Sequence, residues 1–336
     1  MSTTKMNYRE QTHSGNKIKI SIIIPTYRSE KTIEKCLQSL LKQNYPKQNY
    51  EIIVVDNFSK DNSERIAKGL GVRFIKKISN PSEARNYGAK IAKGTIILFI
   101  DADCVAPKDL LKRVDNDFKK YDIGGVGGTY KTLNKESLIA RYVGYEIGWR
   151  HSRSSKYTDF LGSYCSAYKK DIFLKFGGFD ENFLIASGED SELSFRISKH
   201  HKLLLDKDMF VWHNHPSSYK KYIRTQFWRA YWRVLMYKKF PEKILGESYT
   251  GKEIPMASFF MMLFLLSLLL SLFYLEFLYL AIIGLLAFFA VYTGFFRFLY
   301  KKEAGMIPSA MFILFSRTIV CFLGFAWGLL NIFRGN

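Results

Sequence analysis

Residues 80–104 read NPSEARNYGAKIAKGTIILFIDADC, and the fold follows from that stretch. Asn80 suits a helix N-cap, Pro81 the first helical position, and Glu83 the returning acid of a capping box. Gly94 falls where a left-handed residue would close the helix. Thr95 to Ile100 is almost wholly apolar, the pattern of a strand covered on both faces. Asp101 and Asp103 then emerge at its carboxyl end. Open α/β sheets bind ligands at that edge, and two carboxylates separated by one residue suit a hard divalent cation that carries phosphates.

The same alternation extends to both sides. Upstream, residues 18–24, 51–55 and 72–76 read as strands. A helix with Ile33, Leu37, Leu40 and Leu41 at helical spacing, stopped before Pro46, and a short one over 61–68 are expected. Strand–helix alternation with apolar strands predicts a doubly wound, mainly parallel sheet. Downstream the pattern loosens. A helix over 108–120 leads to the glycine-rich IGGVGGT of 123–129. Residues 130–160 are aromatic and basic. Strands over 160–168 and 203–211 flank a helix at 169–176 and a second helix that opens at Gly188, Glu189 and Asp190. The glycine segment is no dinucleotide fingerprint, since it lacks GxGxxG and does not open a helix after the first strand.

The formal charge is +20. Residues 256–336 hold five Lys/Arg and two acids, so seventeen of those excess charges lie in the first 255 residues. A basic surface of that size favours polyanions: nucleic acid, anionic headgroups or phosphorylated small molecules. The four cysteines, Cys36, Cys104, Cys165 and Cys321, lie far apart without metal-ligand spacing, against both a zinc site and a disulfide scaffold. Residues 1–17 read as a loose polar tail with no apolar signal core.

Residues 217–243 combine eight Lys/Arg and one acid with many aromatics, as do amphipathic helices at a bilayer surface. A nucleic-acid groove interleaves the same residue types, but the neighbouring segments decide against it. Residues 256–275 and 277–296 carry no charge, and each is long enough to cross a bilayer core of roughly 30 Å. Arg297, Lys301 and Lys302 mark a return to the cytosolic side. The segment over about 307–333 is interrupted by Pro308 and Arg317, and reads either as a third span with a buried arginine or as a re-entrant or interfacial helix.

Five stretches in order identify a resemblance: residues 21–41 (SIIIPTYRSEKTIEKCLQSLL), 51–63 (EIIVVDNFSKDNS), 84–104 (ARNYGAKIAKGTIILFIDADC), 176–196 (FGGFDENFLIASGEDSELSFR), and the HNHP of 213–216 before basic aromatic helices. From about residue 18 to about residue 235 the chain resembles a family 2 glycosyltransferase of the GT-A fold, and its tail resembles the membrane-bound members. The resemblance implies a Rossmann-like α/β nucleotide-sugar domain over 18–216, with a donor half at 18–125 and an acceptor half at 126–216. Basic interfacial helices over 217–255 and a helical membrane region over 256–336 would follow.

It also implies roles. Pro25, Thr26 and Tyr27 would meet base and ribose, although the same residues make a plain turn after a strand. Asp56 would accept from a pyrimidine imide N–H, or would cap the 57–62 loop. Arg85 would meet base or phosphate, or form a surface ion pair. Asp103 would ligate Mg²⁺ or Mn²⁺, with Asp101 on the metal or the ribose and His213 completing the shell ahead of His215. Asp190 would be the base of an inverting transfer, and Glu189 would position the acceptor or tune Asp190. An acidic first turn favoured by the helix dipole is the alternative for that pair.

The processive branch carries Gln-x-x-Arg-Trp. Here Ala230 follows Arg229 and Trp232 is displaced, so transfer of one sugar per encounter is expected. The whole reads as a multi-pass membrane enzyme with a cytoplasmic active site. It would move sugar from a nucleotide diphosphate donor to a lipid-linked or membrane-surface glycan acceptor, without nucleic acid. A polyprenyl- or dolichyl-phosphate sugar synthase, or a non-catalytic scaffold that retains the fold, are the rival readings.

Overall fold

The apolar runs of the first hundred residues become strands β1 (Ile20–Thr26), β2 (Tyr50–Asp56), β3 (Arg73–Lys76) and β4 (Ile96–Ile100). Between them lie helices α1 (Ile33–Leu41), α2 (Ser63–Gly69) and α3 (Pro81–Ile91). The computed structural model describes residues 18–185 and 187–333, so the tail expected over 1–17 lies outside the described residues. Next come β5 (Cys104–Val105), α4 (Leu110–Lys120), β6 (Gly125–Thr132), α5 (Leu138–Arg153), β7 (Tyr157–Thr158) and β8 (Cys165–Lys169). Then α6 (Lys170–Lys175), α7 (Glu189–Ser198) and β9 (Leu203–His213) complete the α/β domain.

The strands form one sheet in the order β3-β2-β1-β4-β8-β6-β9-β5, with β7 also on β9. Side chains alternate between its faces. Ile22, Ile24 and Leu98 join Leu37, Leu40 and Leu111 on one face. Ile23, Ile97 and Phe99 join Ala84, Ala89 and Phe173 on the other. Parallel pairing holds across β3, β2, β1 and β4. Beyond β4 the expectation of a mainly parallel sheet fails, because β8 runs antiparallel to both β4 and β6. That reversal sets Cys165 opposite Ile100, so the segment that enters β8 crosses the edge where Asp101 emerges.

The cap of α3 forms as expected. Asn80 Oδ1 accepts from the Glu83 amide at 2.9 Å, and Glu83 Oε2 accepts from the Asn80 amide at 2.8 Å. Gly94 corrects the sequence reading, for it is absent from the left-handed glycines. The residue is small for another reason. A Cβ there would stand 2.7 Å from the Ser21 amide nitrogen and 2.9 Å from the Lys19 carbonyl oxygen. The chain needs glycine for a close approach to β1, not for handedness.

Helices α8 (Tyr219–Lys239), α9 (Glu253–Leu270), α10 (Glu276–Val291), α11 (Thr293–Glu303) and α12 (Ile307–Phe333) follow. The basic region expected as separate surface helices is the single α8, and it packs along α12. Small residues permit this: a Cβ on Gly324 would lie 2.3 Å from the Phe227 carbonyl oxygen, and one on Gly328 2.7 Å from that of Tyr231. Glycines four residues apart are a common means of bringing helices together in membranes. By length and composition, Glu253–Leu270 and Thr293–Asn331 could cross a membrane, with mean hydropathies of 2.0 and 1.9. α10 is apolar but has 16 residues, about 24 Å. Along and between α9 and α10, Leu269, Leu272, Phe273, Tyr279 and Leu286 lie exposed.

Arg317 is 5% exposed and points at the α/β domain. It ion-pairs Glu146 of α5 and donates to the Tyr292 hydroxyl at 3.2 Å. Arg150 holds the same Glu146 oxygen at 2.5 Å. Burial alone would raise the Glu146 carboxyl, but the two guanidiniums override it and hold it at about 2. Around this cluster Tyr142, Trp149 and Tyr222 share one core with Met261, Phe295 and Leu314.

Two outcomes follow from this packing. Gly94→Ala should cost about 1–3 kcal/mol, because the neighbour it would strike is backbone, as read by chemical denaturation. A chain ending at residue 255 should aggregate rather than elute as a monomer in size-exclusion chromatography, since the core around Tyr142 and Trp149 loses its cover.

Candidate active site

β1, β2 and β4 deliver their carboxyl ends to one edge. Register pairs Thr26 with Asp56, and the Asn57 amide donates to the Thr26 carbonyl at 3.0 Å. Pro25 is half-buried and Thr26 buried, while Tyr27 is 53% exposed. Asp56 is fully buried. Its Oδ2 accepts from the Ser59 amide at 2.8 Å and its Oδ1 from the Ser59 hydroxyl at 2.6 Å. The carboxylate therefore braces the 57–62 loop, the second of its two sequence readings, at the edge where a ligand would lie.

Arg85 is 2% exposed, which removes the surface-pair reading. From α3 its Nη2 meets Asp101 Oδ1 at 2.8 Å and its Nη1 meets Glu189 Oε1 at 3.2 Å. One guanidinium thus ties the end of β4 to the start of α7, whose Glu189 lies 104 residues from Arg85 in sequence. The Phe179 ring lies 5.6 Å from the same guanidinium. Asn86, the next residue, clasps that turn: it donates to the Phe179 carbonyl and accepts from its amide, both at 2.8 Å.

Glu189 is 1% exposed, and its Oε2 accepts from the Ser187 amide at 2.6 Å. Burial raises its carboxyl, the adjacent Asp190 charge adds to this and Arg85 opposes it, leaving it at about 7. Asp190 is partly exposed and accepts the Ser191 amide at 2.8 Å. Burial raises its carboxyl too, against the Ser191 amide and the Arg85 charge. With Glu189 consumed by Arg85, Asp190 is the member of the pair open to a ligand.

Asp103 gains its partner from β9, the last strand of the sheet in sequence. β5 pairs with β9 so that Cys104 faces His213, and His213 Nε2 stands 3.3 Å from Asp103 Oδ1. His213 Nδ1 and His215 Nδ1 are 3.0 Å apart. His215 is pinned from α5's leading loop: its amide donates to Asn134 Oδ1 at 3.0 Å and its carbonyl accepts from Asn134 Nδ2 at 2.8 Å. Burial, with His213 and Arg229 nearby, pushes the His215 imidazole down to about 3.

A hard divalent cation fits Asp103 and His213, which offer one carboxylate oxygen and one imidazole nitrogen from partly exposed side chains. Cys104 Sγ lies within 4.8 Å of those atoms. It is fully buried, and burial lifts its thiol well above the usual range; a hard cation favours the carboxylate oxygen over a thiol. Asp101 spends Oδ1 on Arg85.

The structure therefore gathers Asp101, Asp103, His213, Glu189 and Asp190 at one edge of the sheet, with Thr26, Tyr27 and Asp56 on the neighbouring strand ends. Sequence reading missed Asn86, Asn134 and Glu146. Asn86 adjoins Arg85 and carried a signal. The other two act through contacts 81 and 171 residues away and left none.

Residues 21–173 match the family model described as glycosyl transferase family 2. Over 125 residues the chain is 41% identical to a poly(ribitol-phosphate) beta-glucosyltransferase of Bacillus spizizenii, covering 35% of this chain and 20% of that relative's length. Over 243 residues it is 28% identical to the dolichyl N-acetyl-alpha-D-glucosaminyl phosphate 3-beta-D-2,3-diacetamido-2,3-dideoxy-beta-D-glucuronosyltransferase of Methanococcus voltae, covering 66% of this chain and 74% of that one. The solved mannosyltransferase of Pyrobaculum calidifontis, in complex with GDP-Man and Mn²⁺, superposes with a TM-score of 0.60 at 18% identity, over 93% of this chain and 88% of its own. The last is a likeness of fold. Together with the sheet order and the strand-end acids, the comparisons give this chain a glycosyl transferase family 2 domain over residues 21–173, built on a GT-A fold.

Proposed function

We propose that the chain is a membrane-anchored, inverting glycosyltransferase that uses Mg²⁺ or Mn²⁺. It moves a sugar from a nucleotide diphosphate donor to a lipid-linked or membrane-surface glycan acceptor. The observation that carries this reading is the edge where Asp103 and His213 converge while Asp190 stays accessible beyond Arg85. Pro25, Thr26, Tyr27 and Asp56 line the donor's nucleotide end, and Asp101 its ribose or metal.

Asp103 and His213 would hold the divalent cation, which offsets charge on the departing nucleoside diphosphate. Asp190 takes the proton of the acceptor hydroxyl as that oxygen attacks the anomeric carbon from the face opposite the leaving group. Arg85 acts as a positioning residue: it fixes Asp101 and holds Glu189 beside Asp190. The raised Asp190 carboxyl favours this role, because a base closer to neutrality takes a hydroxyl proton more readily. The apolar α9 and α10 and the span over Thr293–Asn331 support seating in a bilayer, with the active site on the cytoplasmic side. The lipid-linked substrate named for the Methanococcus voltae relative supports an acceptor of that class.

Asp103→Asn and His213→Ala should each weaken Mn²⁺-dependent binding of nucleoside diphosphate by at least about tenfold, measured by calorimetry. Unchanged affinity in both removes the metal assignment. Asp190→Asn should keep donor affinity within about twofold and lower turnover by about 10²–10⁴. Near-normal turnover excludes Asp190 as base. In the wild type, the acid limb of the pH–rate profile should lie above the ordinary aspartate range, since the base works only when deprotonated.

A further inference from the structure

α8 runs from the metal side of the site to its acid side. It is capped by Ser218, whose hydroxyl accepts from the Lys221 amide, five residues after His213. Three turns further on, the Trp228 carbonyl accepts from the Ser187 hydroxyl at 3.4 Å, two residues before Glu189. Lys221 and Arg229 are eight residues apart, about 12 Å along the axis, on one stripe of the helix. Thr225 stands between them, its hydroxyl turned back to the Lys221 carbonyl at 2.9 Å.

Both cations are exposed. Among the described residues, neither side chain enters an ion pair or hydrogen bond. Of the other cations on α8, Arg233 pairs with Glu247 and Lys239 with Asp180, whereas Lys220, Arg224 and Lys238 are unpaired among the described residues and are set apart from Lys221 and Arg229 by their distance from the site's acids. The charge of Lys221 is felt at Asp103, and that of Arg229 at Asp190, His215 and Tyr130. Three separate groups thus locate Arg229 at the mouth of the site. The opposite face of α8 carries buried Tyr222, Ala230 and Val234, and α12 lies against its backbone at Gly324 and Gly328. The stripe therefore sits between the apolar helices and the catalytic acids.

We propose that Lys221 and Arg229 form a phosphate site that receives the phosphate of the acceptor lipid and presents the adjoining hydroxyl to Asp190. This rests on the glycosyltransferase reading above. Two free cations on a rigid helix suit a phosphate better than a neutral sugar. The planar guanidinium takes two phosphate oxygens at once, and the ammonium adds a compact charge. A ligand that slides in from the bilayer meets Arg229 before Asp190. The same chemistry would serve the diphosphate of the donor, so the test separates the two sources.

Full-length protein in nanodiscs of neutral lipid is titrated with farnesyl phosphate, with farnesol, and with nucleoside diphosphate plus Mn²⁺. The variants are Arg229→Gln and Lys221→Gln, with Lys238→Gln on the same helix as control. Wild type should bind farnesyl phosphate at least tenfold more tightly than farnesol, and each site variant should lose about tenfold while nucleotide affinity stays within twofold. A loss confined to the nucleotide arm keeps the phosphate site and transfers it from acceptor to donor. Equal affinities in both arms for wild type and site variants, or an equal loss in Lys238→Gln, overturn the site. If wild type binds no nucleoside diphosphate with Mn²⁺, the parent reading fails, while the farnesyl phosphate arm still reports on the two cations.

Discussion

The structure turns on one buried guanidinium. Arg85 joins Asp101, at the end of β4, to Glu189, at the head of α7. Burying the charges of Arg85 and Glu189 is costly unless each is paired with good geometry. Two carboxylates share one arginine here, and Glu189 is left close to neutrality at about 7. The cost is met by the capping box of α3, by the clasp of Asn86 on Phe179, and by the apolar face that seats α3 on β1. Loss of Arg85 would leave the buried Glu189 without its partner and the half-buried Asp101 unheld, so the two strand and helix ends stand or fall together.

A second buried ionic cluster does for the helical region what Arg85 does for the site. Glu146 of α5 lies between Arg150 and Arg317. An arginine in an apolar helix is expensive in lipid. Here it faces the α/β domain and finds its carboxylate there. α5 follows the Asn134 loop that pins His215. The apolar helices are thus connected to the histidine pair through one helix and its leading loop. This is why residue 255 is a poor place to divide the chain, although composition changes sharply there.

Much of the first hundred residues was legible in sequence because the determinants there are local. A cap, a proline at the first helical position, an unbroken apolar strand and acids at its end lie within 25 consecutive residues. The stretch from β6 to β9 was less legible. α5, within the aromatic and basic 130–160 region, went unread because it buries aromatics on several sides rather than along one stripe. Gly94 was rightly singled out for the wrong cause, since what forbids a side chain there is the backbone of β1, some 73 residues earlier.

By itself, the sequence determined the strand–helix alternation, the acids at the sheet edge, and the apolar tail, since each depends on short-range periodicity and composition. Only the tertiary structure decided which of those acids is free. Asp56 is bound by Ser59, Asp101 and Glu189 by Arg85, and Asp103 by a histidine brought across by a two-residue strand. Asp190 remains accessible. Burial and partnership depend on residues far apart in the chain, and periodicity carries no information about them. The 25 residues from Asn80 to Cys104 set out the edge of the site. Contacts with residues 179–215 decide what that edge can hold.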